Sequence, residues 1–197
     1  MTMQTESRLP CDASSGTGAH QGEILLGIAR AAIAGRFGLM FEHHDSDAFL
    51  AEPGASFVTL KHKGQLRGCI GSLQAHRRLL DDVRHNAEAA AFRDPRFSPL
   101  RADEYNQIQI EVSVLSPLTP LSAQDETTAI DQMRPGVDGI VLQCGNHRGT
   151  FLPQVWDSLP EPKRFLVELK RKAGLAPEFW SDDVRLYRYH VDKWAEN

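Results

Sequence analysis

Two strand-like runs, residues 56–62 and 65–70, stand only two residues apart, and that gap constrains the fold more than anything else in the chain. Lys63-Gly64 fills it. Parallel neighbours need a crossover of about a dozen residues or more, so runs this close pair as an antiparallel hairpin. The second run carries Leu66-Arg67-Gly68-Cys69-Ile70-Gly71, a cysteine set between glycines and two residues after an arginine.

In the simplest two-residue register Leu60 opposes Arg67 and Val58 opposes Cys69. Side chains alternate along a strand, so Arg67 and Cys69 share a face, their Cβ atoms roughly 6–7 Å apart. A guanidinium at that range favours thiolate over thiol. Gly68 and Gly71 let another backbone or a ligand come close. Two readings follow: a reactive or ligand-gripping cysteine, or a tightly packed strand in which Cys69 is a small buried group.

Helical spacing of Ile24, Leu25, Ile28, Ala31 and Ala32 predicts a first helix over 21–37. Leu79, Leu80, Val83, Ala87, Ala90 and Ala91 predict a second over 77–93, ended by Pro95. A short third helix is expected between Ser98 and Tyr105. Ile108, Ile110, Val112 and Val114 alternate as a strand, with Glu111 on the other face. A helix over 125–133 follows, then a hairpin of 139–144 and 148–152 around Gly145-Asn146. A helix over 162–173 has Pro162 at its start and Gly174 as its stop. The last strand, 184–191, is read as a candidate edge. Helices and hairpins mix without regular β-α-β alternation, which predicts an α+β fold: a mainly antiparallel sheet flanked by helices.

The chain has 197 residues, 41% of them hydrophobic, and a net charge of −4. That balance argues against nucleic-acid binding along a phosphate backbone. Cys11, Cys69 and Cys144 form no pair with metal or disulfide spacing, which points to a reducing cytoplasm. No apolar run approaches the roughly 20 residues of a membrane span. Residues 1–20, rich in Ser, Thr and Gly, are expected to be a disordered lead-in that contains Cys11. The run Glu42-His43-His44-Asp45 has metal-capable residues at no standard zinc spacing, so no metal is expected. No phosphate-binding glycine loop, nucleophile elbow or radical-SAM cysteine triplet is present, and no cofactor is expected.

Several ordered segments resemble the AMMECR domain family, known in bacterial genomes as AmmeMemoRadiSam system protein A. LRGCIG stands complete at 66–71. Ala90-Ala91-Phe92, Asp94-Pro95-Arg96-Phe97 and Pro99-Leu100 follow its AAF-DPRF-PL pattern. Glu111 opens an EVSVL strand, Gly136 opens the G-x-x-GI-L pattern, Leu152-Pro153-Gln154-Val155 gives LPQV, and Lys172-Ala173-Gly174-Leu175 gives KAGL. The likeness spans roughly residues 22–191. It implies a larger and a smaller lobe, with a cleft between them lined by the signature. It also implies partners, a Memo-like dioxygenase-family protein and a radical SAM protein, in which any cofactor chemistry would lie. It implies no reaction.

The site residues then sort by chemistry. Cys69 is the candidate nucleophile, which needs a positioned base; His76, His85, Asp94 and Glu111 are the possible helpers. Arg67 is the candidate clamp for a small anion, or else the partner of Glu111 or Asp94 in an ion pair. Backbone amides near Gly68 and Gly71 are candidate donors to developing charge. Asp94 and Arg96 flank Pro95 in what reads as a rigid turn, with Phe97 as its core anchor. Gln154 has both donor and acceptor groups and sits in a loop that suits binding or turning equally. The sequence thus supports an enzyme component acting through Cys69 and Arg67, or a non-catalytic ligand-binding or adaptor module in which LRGCIG is structural. RNA binding along the basic residues Lys163, Arg164, Lys170, Arg171 and Lys172 is a third reading, set against a solvated helix face.

Overall fold

The computed structural model describes residues 14–197, so Cys11 lies outside the described residues. In chain order these form α1 (Ser14–Arg36), β1 (Pro53–His62), β2 (Gln65–Gly71), β3 (Arg77–Arg78), α2 (Leu79–Phe92) and β4 (Ile108–Leu115). There follow β5 (Thr119–Leu121), α3 (Glu126–Gln132), β6 (Gly139–Cys144), β7 (His147–Phe151), α4 (Pro162–Lys172), β8 (Arg185–Tyr189) and β9 (Val191–Ala195). The fold is α+β, as expected. It divides into two compact units: one runs to Val112 and regains Lys193–Asn197, the other is Ser113–Asp192. Among the described residues no helix is long and apolar enough to cross a membrane.

In the first unit the strand order is β2-β1-β4-β9, with β3 added to the start of β1. Helix α2 packs on β1 and β2, and α1 packs on α2. Ile24, Leu25, Ile28, Val83, Ala87, Ala90, Ile110 and Val112 of the predicted stripes are buried, whereas Ala31, Ala32, Leu80 and Val114 are half-buried; on α1 the buried face takes in Ile33 and Ala34 instead. Helix α1 starts at Ser14, within the stretch expected to be disordered. Arg77 and Arg78 do not join α2, because their backbone pairs with Gly54 and Pro53. The short helix expected between Ser98 and Tyr105 is replaced by turns and one 3-10 turn at Tyr105–Gln107. The Leu100 amide is drawn back onto the Ala91 carbonyl at 2.8 Å, which spends a donor that a helix would need.

The β1–β2 hairpin turns at Lys63 and Gly64, with φ of 52° and 77°. Both values are positive, the signature of the tight turn whose twist matches the flanking strands. The ladder begins in the expected register, His62 with Gln65 and Lys61 with Leu66. It then steps to Leu60 with Gly68, leaving Arg67 as the extra residue of a bulge. Everything beyond is displaced by one. Cys69 faces Thr59 rather than Val58, and Leu60 faces Gly68 rather than Arg67.

The second unit holds a sheet in the order β5-β8-β6-β7, with α3 and α4 on the face that carries Ile140, Leu142 and Leu186. The chain segment after residue 184 breaks in two at His190. β8 lies inside this sheet, between β5 and β6, while β9 ends the other sheet. The predicted stripe of α4, Phe165, Leu166 and Leu169, is fully buried. Trp156 stacks on Phe165 with ring centroids 3.7 Å apart and planes 8° apart. Its indole N–H reaches the Asp138 carbonyl at 2.7 Å, which satisfies the one polar group the ring buries.

Candidate functional site

The hairpin meets the segment after α2 at a single carboxylate. Asp94 lies just past the helix end, and its side chain is only 1% exposed. One oxygen accepts the Cys69 amide at 2.9 Å and the Arg96 Nη2 at 2.7 Å. The other accepts the Arg96 backbone amide at 3.1 Å and Nε at 2.9 Å. Arg96 then donates to the Cys69 carbonyl at 3.0 Å. The Arg96 hydrogen bonds and the Cys69 amide hold the Asp94 carboxyl well below the usual carboxylate range, against the opposing pull of burial. The guanidinium is held charged by Asp94 and, to a lesser degree, by Cys69. Asp94-Pro95-Arg96 therefore acts as a turn, as expected. It also caps both outward backbone groups of Cys69 on β2, the edge strand of its sheet.

Cys69 is half-buried, and its sulfur accepts a hydrogen bond from the Thr59 hydroxyl at 3.3 Å. The cation beside Cys69 is Arg96, not Arg67. The bulge sends Arg67 to Glu104, which it grips through Nε at 2.9 Å and Nη2 at 3.1 Å. Glu104 is held below its ordinary value by that pairing first, and by the Arg101 amide. Arg67 thus has an ion pair, but with neither of the partners expected for it. Glu111 pairs with Lys61 at 3.1 Å and Lys193 at 2.8 Å. Burial disfavours its charge, and the two lysine hydrogen bonds outweigh that effect and keep its carboxyl low.

Gly68 explains itself by packing. A Cβ there would lie 2.2 Å from the Ala90 carbonyl oxygen, so the glycine brings the backbone of α2 onto β2. At Gly71 a Cβ would lie 2.2 Å from the Phe57 ring. The Cys69 amide, the natural donor between these glycines, is committed to Asp94. Gly68→Ala is expected to cost about 2–3 kcal/mol, because the obstacle is main chain and not a side chain that can swing away. Thermal unfolding checks it; a change below about 0.5 kcal/mol would mean that α2 shifts without penalty.

Gln154 is exposed on a 3-10 turn, Pro153–Asp157, of the second unit. Phe97 is half-buried, under the Arg96 guanidinium. His76 and His85 are exposed. Asp81, the i−4 neighbour of His85, pairs with Arg78 instead. The Glu42–Asp45 run is tied into ion pairs: His43 and Arg84 both meet Asp45, at 3.6 and 2.7 Å. Among the described residues no three His, Cys, Asp or Glu side chains gather as a metal site would require.

Sequence reasoning missed Thr59, Glu104 and a buried polar cluster around Asp82. Asp82 accepts the Ser56 amide and hydroxyl, each at 2.8 Å, Asn86 Nδ2 at 2.9 Å and the Ser72 hydroxyl at 2.7 Å. Arg77 approaches it at 3.3 Å. This cluster joins β1, α2 and the residue just past β2, the strand that carries Cys69. Thr59 was legible in principle, since a glycine inside a strand, here Gly68, often marks a bulge and the register shift that goes with it. Glu104 lies 37 residues from Arg67 and leaves no local signal.

The family model for AMMECR1 matches residues 26–194. A protein of Methanothermobacter thermautotrophicus is 37% identical over 187 residues, covering 90% of this chain and 95% of that one. A protein of Saccharolobus islandicus is 38% identical over 182 residues, covering 86% and 78%. The crystal structure of an uncharacterized protein from Pyrococcus horikoshii is similar with a TM-score of 0.70 and 31% identity, covering 90% of this chain and 92% of that one. With a match of that span, and a relative 37% identical along 95% of its length, the chain belongs to the AMMECR1 family.

Proposed function

We propose that this protein is a ligand-binding component in which the LRGCIG hairpin and the turn behind it offer the thiol of half-buried Cys69 and the exposed guanidinium of Arg96 to a small anionic ligand. The observation that carries the reading is the Asp94 clamp. One buried carboxylate holds the Cys69 amide and the Arg96 side chain together, so sulfur and cation keep a fixed relation. Arg96 is 52% exposed, free to meet a carboxylate or phosphate with its open edge. In this reading Arg96 takes the anion-binding part, Asp94 orients it, and Arg67, Gly68 and Gly71 shape the hairpin. A nucleophile needs a base. The groups around Cys69 are a hydroxyl that donates and a guanidinium that stays protonated, which favours binding over acyl transfer.

A second reading, an enzyme component acting through Cys69, draws on the same pair, the Thr59 hydroxyl that donates to the sulfur and the Arg96 guanidinium beside it. The Memo-like and radical SAM partners are proposed from the family likeness, and the cytoplasmic setting from cysteines without disulfide spacing. Gln154 is proposed as a contact for such a partner.

Alkylation tests the binding reading directly. Cys69 is reacted in parallel with iodoacetate, an anion, and iodoacetamide, its neutral analogue, and followed by peptide mass spectrometry. The ratio of the two rates cancels the thiolate fraction and isolates the charge beside the sulfur. Arg96→Gln should lower that ratio about fivefold, the worth of one exposed charge contact near 1 kcal/mol. An unchanged ratio would remove Arg96 as an anion contact. Cys69→Ser with retained partner binding and lost turnover would move the balance to the enzyme reading.

A further inference from the structure

The second unit carries a hollow of about 730 Å³ that the hairpin site does not involve. Its walls are α3 (Glu126, Thr127, Ile130), one face of α4 (Lys163, Val167, Arg171) and the Pro177-Glu178 segment. Lys163, Val167 and Arg171 recur at four-residue spacing, so they form one stripe along α4. The volume lies in the range of sites that take small ligands, about 300–1,000 Å³.

What sets the hollow apart from an ordinary groove is how its walls are tied together. Lys170 is buried, with a side chain 1% exposed. Its ammonium meets the Glu126 carboxylate of α3 at 2.9 Å and the Pro177 carbonyl at 2.8 Å, and lies 5.9 Å from the centre of the Trp180 ring. A single cation on α4 thus pins both other walls, and the hollow is formed before anything enters it. Burying an ammonium is costly, and this one is offset by its two oxygen partners.

The lining then divides by chemistry. Ile130, Val167 and Pro177 are half-buried and make an apolar floor. The rim is exposed and carries both signs: Lys163 and Arg171 on one helix, Glu178 on the facing segment. Arg171 is engaged by Glu168. Lys163 and Glu178 have no ionic or hydrogen-bond partner among the described residues. A ligand that satisfies this lining needs an anionic end, a cationic end and aliphatic bulk between. We propose that the hollow is a binding site for short zwitterionic peptides with aliphatic side chains: the free carboxylate on Lys163, the free ammonium on Glu178, and the side chain on Ile130 and Val167.

The test uses the full chain and the tripeptide Ala-Leu-Ala with free ends. Titration followed by amide NMR should shift signals in α3, α4 and residues 177–178. Lys163→Met and Glu178→Gln, both at exposed positions that leave the fold intact, should each weaken binding about tenfold, the worth of one charged hydrogen bond. Acetylating and amidating the peptide ends should weaken it at least as much. Absence of shifts at millimolar peptide, equal binding of the blocked peptide, or shifts centred outside these walls would each overturn the proposal.

Discussion

Phe165→Ala should cost the second unit about 3–5 kcal/mol, the range for removing a large aromatic from a packed core. Phe165 is fully buried at the centre of that unit's core. It lies flat on Trp156 at 3.7 Å and meets the edge of Phe151 at 5.2 Å. Truncation removes both ring contacts, which add about 0.5–1.5 kcal/mol beyond area burial for each aromatic pair. The hole is framed by elements that cannot all close on it. α4 is held to α3 through Lys170 and Glu126, and the Trp156 indole is held by the Asp138 carbonyl. Little relaxation means most of the cavity cost is felt. Hydrogen exchange of the β6 and α4 amides in urea reads the loss locally, and these amides should lose protection by about 150-fold to a few thousandfold, the fold-change that about 3–5 kcal/mol implies. A loss under about 1 kcal/mol would show that the aromatic stack does not anchor this core.

That residue was visible in the sequence, and the reason is periodicity. Phe165, Leu166 and Leu169 fall on one helical face, and a helix in water has no other use for such a stripe. The strand of Ile108, Ile110 and Val112 was legible for the same reason, as was the Gly145-Asn146 hairpin from its turn residues. Features that depend on one inserted residue or on distant partners were not legible. The bulge at Arg67 displaces Cys69 by one position, enough to exchange Val58 for Thr59 as its neighbour and to send the guanidinium to Glu104. β5 escaped notice because Pro120 sits inside it, a residue tolerated only where a strand has a free edge. β5 is such an edge, paired with β8 alone. The division of the last segment into β8 and β9 turns on long-range pairing, since both halves have ordinary strand composition.

The candidate site divides along the same line. Cys69, Asp94 and Arg96 stand in recognisable segments, and the structure brings them together. A regular strand would place Arg67 two residues from the thiol on the same face, which is why the sequence points to it as the cation. With the bulge in place, Arg96 is, among the described residues, the charged group that both touches Cys69 and presents an exposed edge.

Asp82→Ala should destabilise the first unit by about 3–5 kcal/mol, comparable to breaking a buried charged pair. The carboxylate is wholly buried, and its donors come from three elements: Ser56 on β1, Ser72 just past β2 and Asn86 on α2. Removing it leaves the Ser56 amide and hydroxyl without their acceptor, inside a core where water does not replace it, while Asn86 Nδ2 keeps the Ser56 carbonyl at 3.0 Å. Its place in the first turn of α2 adds a favourable interaction with the helix N-terminus that alanine also forfeits. The cluster works as a unit, so its members should be strongly non-additive. Ser72→Ala should cost about 1–2 kcal/mol alone and far less in the Asp82→Ala background, a coupling that a double-mutant cycle measures. Additive losses would mean the serine and the carboxylate act independently. Because Ser72 follows Gly71 directly, the same variant should also speed alkylation of Cys69 by loosening the end of its strand. An unchanged rate alongside the lost stability would separate the anchoring of the hairpin from the exposure of its thiol.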